Sequence, residues 1–408
     1  MTIRSVASLF SGCGGMDLGF EGEFSVLRAS LSEIEANEFT GRSRMVNLPR
    51  LKFENLFACD VYPKAQAAWT QFFTSRKKVD DVYHLESVVE IAKRFSRRVP
   101  SHLHGLDVVT GGFPCNDFSV AGKRLGFKSN KSHRGNQSLI DEDIEEPAAE
   151  NRGMLYFWMR EIVRHTRPKV FYAENVKGLV SLGDAKEVIE RDFASIRKSP
   201  YLVLPARVLK AIDFGVPQTR ERVIFIGLRR DTVRKDVIRY FDKTGELPNE
   251  LDLYPVKTHG DGDSLRPVAT CGDAFAGLSE PGESTDLSHR SYSQAKYMGR
   301  RLQGQSEVSL DRPGPTIRAE HHGNIEYRRL SESHGGQSEE MKMGLPERRL
   351  SVRECARIQT FPDNYDFVRP GAVSASDAYR LIGNAVPPLL AYRLAARLEA
   401  VWNDVFKR

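Results

Sequence analysis

A cysteine that follows Gly-Gly-x-Pro is badly suited to burial and well placed to react. Cys115 stands in the stretch GGFPCNDFS. The preceding proline fixes the local backbone, and the glycines let the chain turn tightly. As a thiolate, such a side chain is a nucleophile. The sequence holds four other cysteines, Cys13, Cys59, Cys271 and Cys355. An odd, scattered set reads as reduced thiols, most of them inert, buried small hydrophobes. None forms a Cys-x-x-Cys pair, so no structural zinc or other metal site is expected.

Three further groups carry potential chemistry. Phe10-Ser11-Gly12-Cys13-Gly14-Gly15 follows an apolar run, where glycines allow close approach of backbone to a ligand. A tight turn without any ligand would use the same residues. Asp60, ending the next apolar run, is placed to bind both hydroxyls of a ribose. Glu174, in Glu174-Asn175-Val176, ends another apolar run. It can be a plain helix cap or a carboxyl that hydrogen-bonds a substrate ring. Arg220 and Arg222, in QTRER, lie two apart on an extended segment and so point the same way. They can hold a carbonyl oxygen and a phosphate, or form a solvated edge with Glu221.

These residues need a scaffold. Short strands are predicted at 6–10, 56–59, 107–110, 170–173 and 223–228. Helical spacing runs through 65–73, 155–165, 351–359 and 389–402. Strands alternating with helices imply an α/β fold, a parallel sheet with helices on both faces. The carboxyl edge of such a sheet is where ligands bind, and residues 10–15, Asp60, Cys115 and Glu174, which end or follow strands, fall there. Two stretches interrupt the rhythm, 28–50 as a surface insertion and 129–150 as a long polar loop with an acidic run at 141–146. From 231 to 349 the chain is rich in Gly, Pro, Ser, Arg and His and reads as a smaller, loop-rich domain. The expected division is 1–230, 231–349, and 350–408 returning to the first domain.

Length and charge bound the alternatives. The 408 residues exceed what one core usually absorbs. With 40% hydrophobic and 28% charged residues the chain is globular rather than disordered. A net charge of +6 is compatible with a phosphate backbone as partner. No apolar run approaches the roughly 20 residues of a membrane helix. The first ten residues carry no signal-peptide pattern, so a cytoplasmic protein without membrane contact is expected.

Taken together and in order, the motifs resemble the DNA (cytosine-5) methyltransferases of bacterial restriction-modification systems. The resemblance is carried by SLFSGCGGMDLGFE, GGFPCNDFSVAGKRLGF, RGMLYFWMREIVRHTRPKVFYAENVKGL, DFGVPQTRERVIFIGLR, RRLSVRECARIQTFPDNY and RLIGNAVPPLLAYRLA. It implies a Rossmann-like S-adenosylmethionine-dependent methyltransferase sheet with a target-recognition domain. It further implies that residues 10–15 cradle the cofactor, with Asp60 on the ribose and Val61, Pro114 and Asn384 completing the pocket. Cys115 would add to cytosine, Glu174 would hold the ring nitrogen and amino group, and Arg222 the ring carbonyl, with Arg220 supporting the loop. A stacked cytosine hides these atoms, so the base would be flipped out of the duplex. Arg300, Arg301, Gln303, Arg318, His321 and His322 become candidates for DNA contact, and for each a phosphate contact is favoured over base readout.

The sequence departs from the family at three points. Val61 stands where an aromatic residue is common after the acid, Asn116 where Gln commonly follows the cysteine, and Tyr83-His84-Leu85-Glu86 where an adenine-binding Asp is usual. Competing readings are a tRNA cytosine-5 methyltransferase, a catalytically inactive DNA-binding homologue, and a dinucleotide-dependent oxidoreductase suggested by the Gly-rich loop alone. Double-stranded DNA is the expected partner of a monomeric enzyme, with a cognate endonuclease as its companion.

Overall fold

Apolar runs alternate their side chains between the two faces of a strand, and here each face meets its own layer of helices. The computed structural model describes residues 2–39, 41–76, 81–114, 154–196, 200–319 and 325–407. Cys115, Asn116, the 129–150 stretch, His321 and His322 lie outside the described residues.

The strands are β1 (Arg4–Leu9), β2 (Ser25–Leu27), β3 (Met45–Asn47), β4 (Phe53–Asp60), β5 (Tyr83–Leu85), β6 (Val108–Gly112), β7 (Val170–Val176), β8 (Tyr201–Val203), β9 (Arg207–Lys210), β10 (Glu221–Arg229), β11 (Tyr327–Arg329) and β12 (Arg348–Arg349). The helices are α1 (Gly15–Glu21), α2 (Glu33–Glu38), α3 (Pro63–Thr74), α4 (Val88–Arg97), α5 (Leu155–Thr166), α6 (Ala185–Ala194), α7 (Lys235–Thr244), α8 (Cys271–Phe275), α9 (Leu287–Arg290), α10 (Glu339–Lys342), α11 (Val352–Ile358), α12 (Ala375–Asn384) and α13 (Pro388–Val405).

One eight-stranded sheet has the order β5-β4-β1-β6-β7-β10-β8, with β9 beside β10. The pairs from β5 to β7 are parallel. Strand β10 runs antiparallel to β7, β8 and β9, which corrects the expectation of an all-parallel sheet. The physical reason is the connection. Only residues 211–220 join β9 to β10, with no crossover helix, and antiparallel neighbours need none.

Val6, Val108 and Tyr172 face a cluster that includes Leu18, Trp69 and Leu390 from α1, α3 and α13. Their strand neighbours Ala7, Val109 and Phe171 face Ile91, Met159 and Phe193 from α4, α5 and α6. Helix α13 begins at a proline, as its N-terminal turn allows, and buries Leu389, Leu394 and Leu398.

The 28–50 stretch lies largely at the surface but has buried anchors. Strands β2 and β3 pair as a hairpin, and Leu31, Val46 and Leu48 are buried in the first cluster. Remote residues hold it down. Arg393 pairs with Glu35, and His259 Nε2 donates to the Ala29 carbonyl at 2.9 Å. Packing on the sheet side continues past residue 230. Val233, Val237 and Tyr254 join the same cluster, and Tyr254 Oη donates to the Ile224 carbonyl at 2.8 Å.

Beyond this the chain forms short helices and the β11–β12 ladder. Buried arginines do much of the joining there. Arg329 and Arg348 both bind Glu280, and Arg348 also pairs with Glu354 at 2.8 Å. Apolar side chains of the same stretch, Phe275, Val308, Ile317 and Ile325 among them, are buried in the first cluster.

Candidate active site

Strand ends β1, β4, β6 and β7 converge on one cavity of ≈ 250 Å³. Its walls include Phe10, Ser11, Gly12, Asp60, Val61, Pro114, Glu174, Arg220, Arg222 and Asn384. Gly15, Met16, Tyr62, Glu86, Ser87, Ala319 and Arg380 line it as well.

The loop after β1 is set by its backbone. Phe10, Gly12 and Gly14 all have positive φ, 54°, 53° and 80°. An added Cβ at Gly12 meets nothing, whereas one at Gly14 would stand 2.6 Å from Trp69 and one at Gly15 2.2 Å from the Val386 carbonyl. Gly12 therefore opens on the cavity, and Gly14 and Gly15 permit close packing behind it.

Hydrogen bonds from several other elements hold this loop. Ser11 N donates to the Cys59 carbonyl at 2.9 Å, and Gly12 N to Asp60 Oδ2 at 3.0 Å. Tyr83 Oη donates to the Gly12 carbonyl at 3.1 Å, and Tyr365 Oη to the Cys13 carbonyl at 2.5 Å. Tyr83 and Tyr365 escape sequence reading, because a tyrosine in an apolar run reads as core. Asp60 Oδ1 also accepts from Tyr62 N at 2.9 Å. Burial raises the Asp60 carboxyl above its usual range, and the Tyr62 and Gly12 N–H groups oppose that rise.

Cys13 and Gly14 differ from their loop neighbours. Neither lines the cavity: Gly14 packs against Trp69, and Cys13 Sγ lies 3.5 Å from the Leu381 carbonyl. Burial pushes the thiols of Cys13, Cys59, Cys271 and Cys355 up, so none of these four is a ready thiolate.

Near Val61 the wall continues with Tyr62, whose ring lies 4.6 Å beneath the Arg380 guanidinium. Tyr62 Oη donates to Asp377 at 2.5 Å. Within the Tyr83–Glu86 stretch, His84 stacks on Phe57, Leu85 is exposed, and Glu86 pairs with Arg94 at 2.8 Å. Glu86 and the following Ser87 are its cavity-lining members.

At the other end, Glu174 lies within β7 rather than after it. Its Oε1 stands 2.7 Å from Arg222 Nε on β10. Gly112 of β6 is paired with Glu174, and an added Cβ there would approach Glu174 Oε2 to 2.9 Å. Asn175 Nδ2 donates to the Phe113 carbonyl at 3.0 Å and so fixes the turn that leads to residue 115. Arg220 is buried beside them and donates to the carbonyls of Ile317 and Gly383, each at 3.0 Å.

The four described DNA-contact candidates are not gathered here. Arg318 pairs with Glu326 at 3.0 Å. Arg300, Arg301 and Gln303 are exposed on a loop, with Arg300 Nη2 donating to the Gly335 carbonyl. Among the described residues no group of side chains could hold a metal ion, and no helix is long and apolar enough to cross a membrane.

A mainly parallel sheet with helices on both faces and a cavity at its carboxyl edge is an arrangement in which α/β proteins commonly bind ligands. The C-5 cytosine-specific DNA methylase family matches residues 4–140 and 144–400, and the chain belongs to it. It is 32% identical to the Type II methyltransferase M.BsuRI of Bacillus subtilis, over 96% of this chain and 78% of the relative. It is 31% identical to the Type II methyltransferase M.BspRI of Lysinibacillus sphaericus, over 99% and 83%. The fold is also that of the S. pombe Dnmt2 methyltransferase, with a TM-score of 0.57 at 15% identity over 98% and 99% of the two chains.

Proposed function

We propose that this cytosine-5 DNA methyltransferase modifies one sequence in duplex DNA through a covalent Cys115–cytosine adduct, with the target base flipped into the cavity. The observation that carries this reading is the Glu174–Arg222 pair set against Gly112, at the opposite end of the cavity from Asp60 and Gly12.

The residues fit S-adenosylmethionine. Asp60 Oδ2 and Oδ1 accept from the Gly12 and Tyr62 N–H groups, the carboxylate lines the cavity where a ribose hydroxyl would reach it, and Gly12 leaves its side of the cavity open. The cofactor, when bound, supplies the electrophilic methyl group that carbon 5 receives. Phe10, Ser11, Gly12, Gly15, Val61, Pro114 and Asn384 would enclose it, with Cys13 and Gly14 supporting the loop from behind.

Carbon 5 of cytosine is a poor nucleophile. Addition of the Cys115 thiolate to carbon 6 makes the ring enamine-like. Glu174 accepts from the exocyclic amino group and holds a proton at the ring nitrogen, and Arg222 donates to the ring carbonyl. Once carbon 5 bears the methyl group, water takes the carbon 5 proton, the carbon 5–carbon 6 double bond re-forms, and the carbon 6–sulfur bond breaks to free the Cys115 thiolate. Residues 231–349 provide target recognition, and 350–408 return to the catalytic domain. The proposed enzyme is a monomer paired with an endonuclease of the same specificity; the named relatives are Type II methyltransferases.

Bisulfite sequencing of plasmid from expressing cells tests the reading. Protected cytosines in one sequence context are expected with the wild type and none with Cys115→Ala. Duplex DNA carrying 5-fluorocytosine should trap the wild type covalently, because fluorine cannot leave as a proton does. Absence of protected cytosines despite good expression, or methylation of tRNA instead of duplex DNA, overturns it.

A further inference from the structure

The order of the strand ends decides which part of the cavity would meet which part of the cofactor. Along the carboxyl edge of the sheet come β5, β4, β1, β6 and β7 in turn. Glu174 sits on β7, and Asp60 closes β4. S-adenosylmethionine carries its sulfonium methyl on one side of its ribose and its purine base on the other. With the methyl directed toward Glu174 and the ribose on Asp60, the base falls beyond β4, toward β5. The cavity wall there includes Val61, Tyr62, Glu86, Ser87 and Val88, and Arg380 joins it over Tyr62. Glu86 is already paired with Arg94, and the two valines offer aliphatic surface alone.

Helix α12 supplies the arginine. Asp377, Arg380 and Asn384 recur at i, i+3 and i+7, so they share one face of the helix. Two of them grip Tyr62. Asp377 accepts its hydroxyl at 2.5 Å, and the Arg380 guanidinium lies over its ring, 4.6 Å from the centre. The Tyr62 N–H in turn donates to Asp60 Oδ1 at 2.9 Å. The ring, the guanidinium and the proposed ribose ligand are thus fixed relative to one another. A guanidinium is planar and weakly hydrated, so it stacks readily on flat π-systems. Tyr62 covers one side of Arg380, and Arg380 also lines the cavity.

We propose that Arg380, laid on the Tyr62 ring, recognises the purine base of the cofactor by stacking its cavity side on the base. The base is then held by a cation backed by an aromatic ring, with Val61 and Val88 as its aliphatic surroundings. The inference rests on the reading of this cavity as the S-adenosylmethionine site.

Isothermal titration of the full chain with S-adenosylhomocysteine, and competition by S-ribosylhomocysteine, which lacks the base, test it. Arg380→Met keeps an apolar stem and loses the planar cation. It should bind S-adenosylhomocysteine ~10-fold more weakly than wild type, the scale of a desolvated cation–π contact, and S-ribosylhomocysteine within ~2-fold of wild type. Equal losses for both ligands would place Arg380 on the ribose or on Asp60, and no loss would remove it from the site. Either result overturns the proposal. The Tyr62 ring gives an independent decision, including where the base-free ligand binds too weakly to compare. Tyr62→Phe keeps the ring and should stay within ~3-fold of wild type, whereas Tyr62→Leu should lose as much as Arg380→Met. Tyr62→Leu combined with Arg380→Met should lose no more than either alone, because both changes break one stack. Additive losses overturn the proposal. A wild type that binds no S-adenosylhomocysteine at all refutes the cavity reading instead.

Discussion

Glu174 and Arg222 face one another across the antiparallel strands β7 and β10, carboxylate oxygen to guanidinium nitrogen at 2.7 Å. Arg222 keeps a second bond, from Nη1 to the Glu221 carbonyl at 2.7 Å. Glu174→Gln preserves shape and can still accept from Arg222, but it cannot hold a carboxyl proton at a ring nitrogen. Turnover should fall by roughly 100-fold or more, the scale of a lost acid–base group. Cofactor affinity should change little. Single-turnover methylation with a parallel product-binding titration separates the two, and an equal loss in both would place Glu174 in general structure instead.

Gly112→Ala probes the same group from the side. The added Cβ would meet Glu174 Oε2 at 2.9 Å, and its next neighbour, Glu174 Cδ, at 4.0 Å. Only the end of a side chain has to move, so the strand should remain paired. The expected result is a fall in turnover of about 10-fold or more, as displaced catalytic groups commonly give. Thermal unfolding should shift by no more than about 1–3 kcal/mol, the scale for overpacking. A large loss of stability with normal turnover would contradict the assigned geometry.

Much of this arrangement was legible in the chain itself, and the limits are physical. Glycine and proline announce the turns at 10–15 and 112–114, and the alternation of Val6 with Ala7 or Val170 with Phe171 announces the strands. What could not be read are bonds whose partners are remote. Tyr365 and Cys13 lie 352 residues apart, and Gln218 and Gln359 lie 141 apart. The 28–50 stretch looked superficial because its anchors, His259 and Arg393, are far along the sequence. The antiparallel β8 and β9 were missed because runs of three and four residues are too short to show a period.

Asp60 gives the site a pH dependence of defined sign. Burial raises its carboxyl, so the folded chain keeps this proton to higher pH than the unfolded chain does. Its contribution to stability is therefore greatest below the ordinary carboxylate range and declines as pH rises through the folded value. Cofactor affinity should move the opposite way, since ribose hydroxyls donate best to the ionised form. Titration of S-adenosylhomocysteine from acid to neutral pH should show tightening through that window. Asp60→Asn should weaken binding by about 10- to 100-fold, as lost bonds to a charged group imply, and should flatten the slope. A wild-type affinity independent of pH in this window would remove Asp60 from the ribose.

Arg301 and Arg318 should answer differently to the same substitution. Arg301 is exposed on a loop that carries Lys296, Arg300 and Arg301 and has no acidic residue from 296 to 305. Arg318 is half-buried and paired with Glu326, which is itself buried. Arg301→Ala should weaken duplex binding to all sequences alike and reduce the salt slope of log affinity by about 1, the value for one lost phosphate contact. Arg318→Ala should instead lower the unfolding temperature, because it leaves the Glu326 carboxylate buried without this partner, and should leave the salt slope unchanged. Fluorescence anisotropy at several salt concentrations, on cognate and scrambled duplexes, distinguishes the cases. If Arg301→Ala weakens only the cognate duplex and broadens the bisulfite pattern, Arg301 reads a base edge and the phosphate assignment fails.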